Sequence, residues 1–312
     1  MKLPQKRFVC IGETVYDIIF KDGAPQAAKP GGSVLNAMVS LGRTALPVSF
    51  ISEYGRDDIG LLIERFLKGN GVDVSHVYRY DDANTSLAIA ILDEKHDASY
   101  TFYKEKPGVR LNIVFPDIEN EDIVLFGSFF AVAPEVRKKL TDFILKAEKS
   151  RAIIIYDPNF RKSHAAEIDI LRPAIIENMK MASLVRGSDE DFRNIAGAGN
   201  AEEAWEFVRG FCSCLVYTAS SDGVYVRTRS FSGRFPVRKI NPVSTIGAGD
   251  NFNAGMAAAI YNNGISGDEL ALMGEEKWGR VIAAGIDFAT EVCLSYENYI
   301  SKEFAAKFKP GS

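Results

Sequence analysis

The chain has 312 residues, 46% of them hydrophobic and 25% charged, with only 12 prolines, a composition that belongs to folded globular proteins and excludes disorder and collagen-like order. A net charge of -4 and a pI near 5.6 give no basis for a nucleic-acid backbone as partner, and a small molecule fits better. Four scattered cysteines, Cys10, Cys212, Cys214 and Cys293, are too few for a disulfide framework and wrongly placed for a four-cysteine zinc site, so a reducing cytoplasm is the expected location.

From the N-terminus, basic Lys2, Lys6 and Arg7 precede an apolar stretch that Glu13 and Asp17 interrupt. It therefore reads as a first strand, Phe8–Ile11, and not as a signal peptide. Val34–Arg43 has helical period, Val48–Ser52 is a strand, and Ile59–Lys68 is a helix with Ile59, Leu62, Ile63, Phe66 and Leu67 on its apolar face and Asp57 or Asp58 as its cap. The alternation resumes with strand Ile123–Phe126, helix Glu135–Lys149, strand Ala152–Tyr156, helix Ala165–Met179, strand Leu184–Arg186, helix Ala201–Phe211 and strand Leu215–Thr218. Such alternation predicts a parallel sheet covered by helices on both faces. The most apolar window, Val124–Ala133, is about half the ~20 residues a spanning helix needs, so no membrane segment is expected.

One stretch departs from this rhythm. Ser86–Leu92 and Ser99–Lys104 are strand-like, have no helix between them, and are joined by polar Asp93–Ala98, which is a hairpin signal. With Val15–Phe20 they predict a small antiparallel sheet inserted into the parallel core, either a lid over a site or an edge hairpin without a role.

The most informative motif is Ser244-Thr245-Ile246-Gly247-Ala248-Gly249-Asp250 before the apolar helical run Phe252–Ile260. A Gly-Ala-Gly turn at a helix start aims consecutive N–H groups at an anion. Asp250 in the first turn is either a simple cap or, beside such an anion hole, a base for an attacking hydroxyl. Gly31-Gly32-Ser33 before a helix that carries Asn36 lets backbone approach a ligand and suits a polyhydroxyl compound, although glycine turns of this kind are often only structural. Asp157-Pro158-Asn159-Phe160-Arg161 follows a strand at the carboxyl end, where open α/β sheets bind ligands, and is otherwise a capped turn. A Walker lysine loop, a Gly-x-Gly-x-x-Gly turn, zinc-type histidine spacing and a serine nucleophile elbow are all missing.

In this order the segments resemble the ribokinase/PfkB-type family of carbohydrate kinases over nearly the whole chain. The resemblance rests on Gly12-Glu13 with Asp17, Gly31-Gly32 with Asn36, Gly55-x-Asp57-x-x-Gly60, Asp157–Arg161, Thr218 with Gly223, and above all Gly247-Ala248-Gly249-Asp250 with Phe252 and Gly255. It implies a single ribokinase-like α/β domain over 1–312, with a mainly parallel central sheet, helices on both faces, and a small β-sheet lid built from segments around 13–30 and 84–105. It also implies phosphoryl transfer from ATP with Mg2+ to a sugar hydroxyl, fructokinase-like in the first instance. Ribokinase, 2-keto-3-deoxygluconate kinase and nucleoside kinase are alternatives of the same class, and a non-catalytic sugar-binding homologue is one of a different class. Asp250 is implied as catalytic base and Gly247, Ala248 and Gly249 as the anion hole. Asp17, Gly31, Gly32, Asn36 and Arg161 are implied as sugar ligands, and Phe102 as an apolar lid wall. Ser188, Thr218 and Gly223 fall in the nucleotide region, and Asp191 stands where magnesium is positioned.

The chain also differs from the family pattern. Ser244 replaces the aspartate that helps form a monovalent-cation site, which leaves that cation requirement open. Ser188-Asp189-Glu190-Asp191 stands for Asn-x-x-Glu, so the shorter Asp191 would reach magnesium through water. Ser220 stands where a glycine is usual in the nucleotide loop. Arg110 or Lys104 could serve a sugar phosphate or be solvated surface charge. The apolar hairpin is a candidate homodimer contact.

Overall fold

The structure, a computed structural model, describes residues 6–92, 98–105, 107–160 and 162–308. Its chain divides into two compact units, Val9–Pro116 with Ile240–Ala254 and Asp287–Ser312, and Met1–Phe8 with Asp117–Lys239 and Gly255–Ile286.

The first unit opens with β1 (Phe8–Ile11), β2 (Val15–Lys21) and β3 (Ala24–Gly31), followed by α1 (Ser33–Arg43), β4 (Val48–Gly55), α2 (Asp58–Gly69), β5 (Val72–Asp73), β6 (Val77–Tyr80), β7 (Leu87–Leu92) and β8 (Ala98–Tyr103). All eight residues of β4 are buried, as a strand covered on both faces requires. It lies between β1 and β5, and both β5 and β6 pair with it in parallel. α2 starts where the Asp57 side chain accepts from the Gly60 N–H at 2.7 Å, which settles its cap. Ile63 and Leu67 are its buried apolar residues, whereas Leu62, expected on that face, is 46% exposed.

The small sheet has the order β3-β2-β7-β8. Its outer pairs are antiparallel, but β2 and β7 run parallel, so the sheet is mixed and not the antiparallel one expected. A parallel pair forms because β2 and β7 are not consecutive and the chain returns through α1 to β6 before β7 begins. Register puts Lys29, Asp17, Ala88 and Phe102 in one row across the four strands, and residues paired this way point to the same face. Ile19, Ala90 and Leu92 form the small apolar core on that face, with Ile246 and Tyr296 packed against it. The connection between β7 and β8, where the hairpin turn is expected, lies outside the described residues except for Ala98.

The second unit contains β9 (Ile123–Gly127), α3 (Pro134–Lys149), β10 (Ile153–Asp157), α4 (Ile168–Met181), β11 (Leu184–Ser188), α5 (Asp189–Ala196), α6 (Ala201–Val208), β12 (Cys214–Ala219), β13 (Gly223–Thr228) and β14 (Ser232–Phe235). β9, β10, β11 and β12 are parallel neighbours, and β13 and β14 add an antiparallel hairpin at the edge. All five residues of β9 and of β10 are buried. α4 begins at Ile168, because a 3₁₀ turn occupies Lys162–Glu167 where helix was expected from Ala165. The chain closes with α7 (Ala248–Asn262), α8 (Gly267–Leu270), α9 (Glu275–Cys293) and α10 (Lys302–Lys307). Among the described residues no helix is long and apolar enough to cross a membrane.

Two glycines of α2 give opposite tests of this packing. A Cβ on Gly60 would lie 1.9 Å from the Gly55 carbonyl oxygen, whereas one on Gly69 would meet nothing within 4 Å. Gly60→Ala is expected to lower the urea unfolding free energy by about 2 kcal/mol or more. Gly69→Ala is expected to raise it by roughly 0.5–1 kcal/mol, since it only restricts the unfolded chain and improves helix propensity.

Candidate active site

In the first unit the turn between β3 and α1 is made of two glycines that no other residue can replace without displacement. A Cβ on Gly31 would lie 2.0 Å from Asp17 Oδ2, so the absent side chain is the space the Asp17 carboxylate occupies. Gly32 has φ of 129° and a Cβ there would lie 2.2 Å from the Glu13 carbonyl oxygen. α1 therefore starts on a residue without a side-chain cap, and its first turn presents Ser33 and Asn36 to the start of α7. The Ser33 hydroxyl donates to Asp250 Oδ1 at 2.7 Å, and Asn36 Nδ2 donates to Asp250 Oδ2 at 2.8 Å. Asn36 is 4% exposed, and its Oδ1 has no donor among the described residues.

The glycine turn itself is held from behind. Gly247 has φ of 78°, and a Cβ on it would lie 2.9 Å from the Asn298 carbonyl oxygen. Asn251 Nδ2 donates to the carbonyl oxygens of Gly247 at 2.8 Å and Asn298 at 2.7 Å. The first turn of a helix leaves its N–H groups outside the i to i−4 ladder, but they are not equivalent here. The Ala248 N–H donates to the Thr245 carbonyl at 3.2 Å, which turns it away from an incoming anion, so an anion cradle at this end relies on the amides that follow. Ser244 is buried, and its hydroxyl accepts the Ile246 N–H at 3.2 Å.

Asp17 is 6% exposed and accepts from Asn298 Nδ2 at 3.1 Å. The register row puts Phe102 on the same face, with only Ala88 between the two, and Phe102 stacks on Tyr100 with ring centroids 5.9 Å apart. Phe102 also borders a cleft of about 750 Å3 with Asp57, Thr85, Lys104 and Glu105. The two basic residues weighed for a phosphate are both engaged: Lys104 bonds Glu13 at 2.6 Å and lies over the Phe102 ring, and Arg110 is paired with buried Glu53. Burial pushes the Glu53 carboxyl up, and Arg110 and the Leu111 N–H oppose that shift.

In the second unit the other candidate residues sit at the carboxyl ends of adjacent parallel strands. Ser188 and Thr218 are register partners on β11 and β12, and Asp157 ends β10. Ser188 caps α5: its Oγ accepts from the Asp191 N–H at 3.1 Å, while its N–H and its hydroxyl each reach Asp191 Oδ2 at 2.6 Å. Asp191 Oδ1 takes the Phe160 N–H. The carboxyl is 5% exposed, and burial, then the neighbouring Asp157 charge, push its pKa up. Both oxygens thus serve protein donors, which is the arrangement of a helix cap and a poor fit to a direct magnesium ligand. No group of three His, Cys, Asp or Glu placed to hold a metal occurs among the described residues.

Thr218 Oγ1 accepts from Arg186 at 2.7 Å, and the same guanidinium donates to Asp157 Oδ2 at 2.8 Å. Asp157 Oδ1 takes the Asn159 N–H at 2.9 Å, so this segment is a capped turn. Ser220 has φ of 43°, the left-handed region in which glycine is normally favoured. Gly223 has φ of 119°, and a Cβ on it would lie 2.7 Å from the Phe235 carbonyl oxygen. Arg161 lies outside the described residues. Sequence reasoning missed Ser33, Asn251 and Asn298 in the first unit and Arg186 in the second. Arg186 did carry a signal, as a charged residue in an otherwise apolar strand.

Residues 5–276 match the description of pfkB family carbohydrate kinases. Among curated relatives, the fructokinase of Escherichia coli is 25% identical over 265 residues, covering 83% of this chain and 86% of that one. The aminoimidazole riboside kinase of Salmonella typhimurium is 24% identical over 260 residues, covering 82% and 81%. Among solved structures, the fructokinase of Vibrio cholerae with fructose, ADP and calcium superposes with a TM-score of 0.84 at 19% identity, over 97% of this chain and 99% of that one. The fold is the ribokinase-like α/β arrangement expected, a mostly parallel sheet with helices and a separate small sheet. The chain belongs to the pfkB family of carbohydrate kinases and is an ATP-dependent carbohydrate kinase.

Proposed function

We propose that the chain phosphorylates a neutral sugar and that it is a fructokinase. The observation that carries this reading is the pair of hydrogen bonds from Ser33 and Asn36 to Asp250: a carboxylate at a helix start is already in contact with hydroxyl and amide groups of the glycine-turn helix. A sugar hydroxyl entering there would donate to Asp250 in place of Ser33, and Asp250 would accept its proton as that oxygen attacks the γ-phosphoryl group of ATP. The N-terminal amides of α7 after Ala248 would stabilise the charge on the transferred group. Asp17, Asn36 and Asn298 would hold the remaining hydroxyls, the buried Asn36 Oδ1 being an acceptor in want of a donor. Phe102 would wall the sugar on the row it shares with Asp17 and Ala88. We assign the small sheet as a lid that excludes water on closing.

A neutral substrate is favoured over a sugar phosphate because Arg110 and Lys104 are each neutralised by a glutamate. Ser188, Thr218 and Gly223 are assigned to the nucleotide, and Arg161 to the sugar, on the family resemblance. Magnesium would take most of its ligands from the nucleotide phosphates and water, because Asp191 is committed to its cap. The riboside kinase is nearly as similar in sequence as the fructokinase, 24% against 25% identical, so a riboside is the second substrate to test.

Three measurements check this reading. ADP release from Mg-ATP over fructose, ribose, 2-keto-3-deoxygluconate, fructose 6-phosphate and aminoimidazole riboside is expected to be fastest with fructose. Asp250→Asn is expected to cut kcat about 1000-fold and to leave the sugar Kd within about threefold. A retained rate would remove Asp250 from the base role, and sugar binding without ADP release in the wild type would make the protein a non-catalytic binder.

Ser244 offers an uncharged hydroxyl that already serves the Ile246 N–H. Replacing potassium with tetramethylammonium at equal ionic strength is therefore expected to change the rate by less than about twofold.

The small sheet also has a second face, made of Tyr16, Ile18, Leu87, Ile89, Ile91 and Tyr103, of which Ile91 is 54% and Tyr103 62% exposed. We assign a second copy of the chain to it. Light scattering is expected to give about twice the chain mass of 34.3 kDa, and Ile91→Lys to return it to one.

A further inference from the structure

Lys29 is a basic side chain buried to 6% exposure, a state lysine reaches only when its charge is partnered. It stands directly opposite Asp17 in the β2/β3 register, on the same face of the small sheet. Its ammonium donates to the Tyr296 carbonyl and lies 3.7 Å from the Glu297 carboxylate. Burial lowers its pKa, and Glu297 and Asp17 act against that shift. The next residue, Asn298, is 1% exposed and faces two ways: its side-chain amide donates to Asp17 Oδ2, and its carbonyl receives Asn251 and packs against Gly247. The segment is tied further by the Tyr299 hydroxyl to the Pro30 carbonyl and by the Ile300 N–H to Ser40 Oγ at 3.1 Å. Taking a charge out of water costs more than an apolar residue would at the same point of a sheet, so stability alone does not account for a lysine here.

We propose that Lys29 is a positioning residue for phosphoryl transfer, its ammonium pinning Tyr296 and Glu297 so that Asn298 holds the Asp17 carboxylate on one side and the glycine turn of α7 on the other. The sugar ligand and the phosphoryl cradle then share one support. Without the Lys29 ammonium, Asn298 loses the tie on its N-terminal side, and its hold on Asp17 and the Gly247 turn loosens. This inference rests on the sugar-kinase reading and adds a residue that acts through another, without touching the substrate.

The test is a double-mutant cycle with Lys29→Met and Asn298→Ala, read by fructose binding in calorimetry, by kcat and KM for fructose, and by thermal unfolding. Lys29→Met is expected to weaken fructose binding about tenfold and lower kcat, while Tm stays level or rises because a buried charge has been removed. The double variant is expected to be no worse than Asn298→Ala alone, since Lys29 acts through Asn298. Lys29→Gln, neutral but still polar, serves if the methionine variant does not fold, and is expected to lose fructose binding in the same direction. Fructose binding and kinetics unchanged in the folded Lys29 variant, additive losses in the double variant, or a fall in Tm that accounts for the whole loss would each overturn the proposal. A wild type that neither binds nor phosphorylates a sugar of the panel would remove the sugar-kinase reading and this one with it, whereas a wild type that binds fructose no better than Lys29→Met removes this one alone.

Discussion

The constraint on which much of the first unit rests is that the Asp250 carboxylate is held in place at the start of α7 while only half-covered. Three different sources meet that demand: the dipole of the helix it opens, the Ser33 hydroxyl and the Asn36 amide. Much of the first unit follows from it. Ser33 and Asn36 reach Asp250 because α1 begins directly after β3, and that tight turn keeps glycine at residues 31 and 32, where a Cβ would meet the Asp17 carboxylate and the Glu13 carbonyl. The turn at Gly247 must pass so close to Asn298 that a Cβ would be 2.9 Å from its carbonyl, which fixes the third glycine and makes the distant segment around Asn298 part of the same construction.

The second unit solves a comparable problem with a buried ion pair. Arg186 lies within a parallel strand, where apolar residues are usual, and joins Asp157 to Thr218 across three neighbouring strand ends. Such a pair gives little net stability against an apolar replacement of similar size, but it fixes the orientation of the groups it touches. Asp191 differs in kind: its three donors and its helix cap consume the carboxylate. The same acidic residue that motif spacing offers to a metal is, in the fold, a device for starting α5.

Much of the architecture was legible because it follows from local rules. The continuous apolar runs of β9, β10 and β12 announce parallel strands, and the helices around Val34, Ile59 and Glu135 follow from their period, the second also from its Asp57 cap. The turns that carry Asp250 and the glycine pairs were legible for a related reason, since glycines directly before an apolar helical run mark a turn into a helix. What escaped depends on residues far apart in the chain. Asn298 meets Asp17 across 281 positions, and nothing in Tyr296–Ile300 signals it. Leu62 satisfied the helical period yet faces solvent, because what α2 buries is decided by its neighbours. The parallel pairing of β2 with β7 escaped for the same reason: a hairpin signal fixes β7 with β8 and says nothing about the third strand.

β2 alternates in a way that gives its two faces separate duties. Asp17 and Ile19 point to the face that carries Lys29, Ala88 and Phe102, while Tyr16 and Ile18 point to the apolar outer face. Because strand side chains alternate with a period of two, a single residue inserted or deleted just before Asp17 would exchange the faces, directing Tyr16 and Ile18 inward and sending a carboxylate outward. The bulge between Ile19 and Phe20 absorbs an irregularity beyond this point, leaving the Asp17 row in step with Lys29 and Ala88. In this strand, length is therefore constrained as tightly as identity.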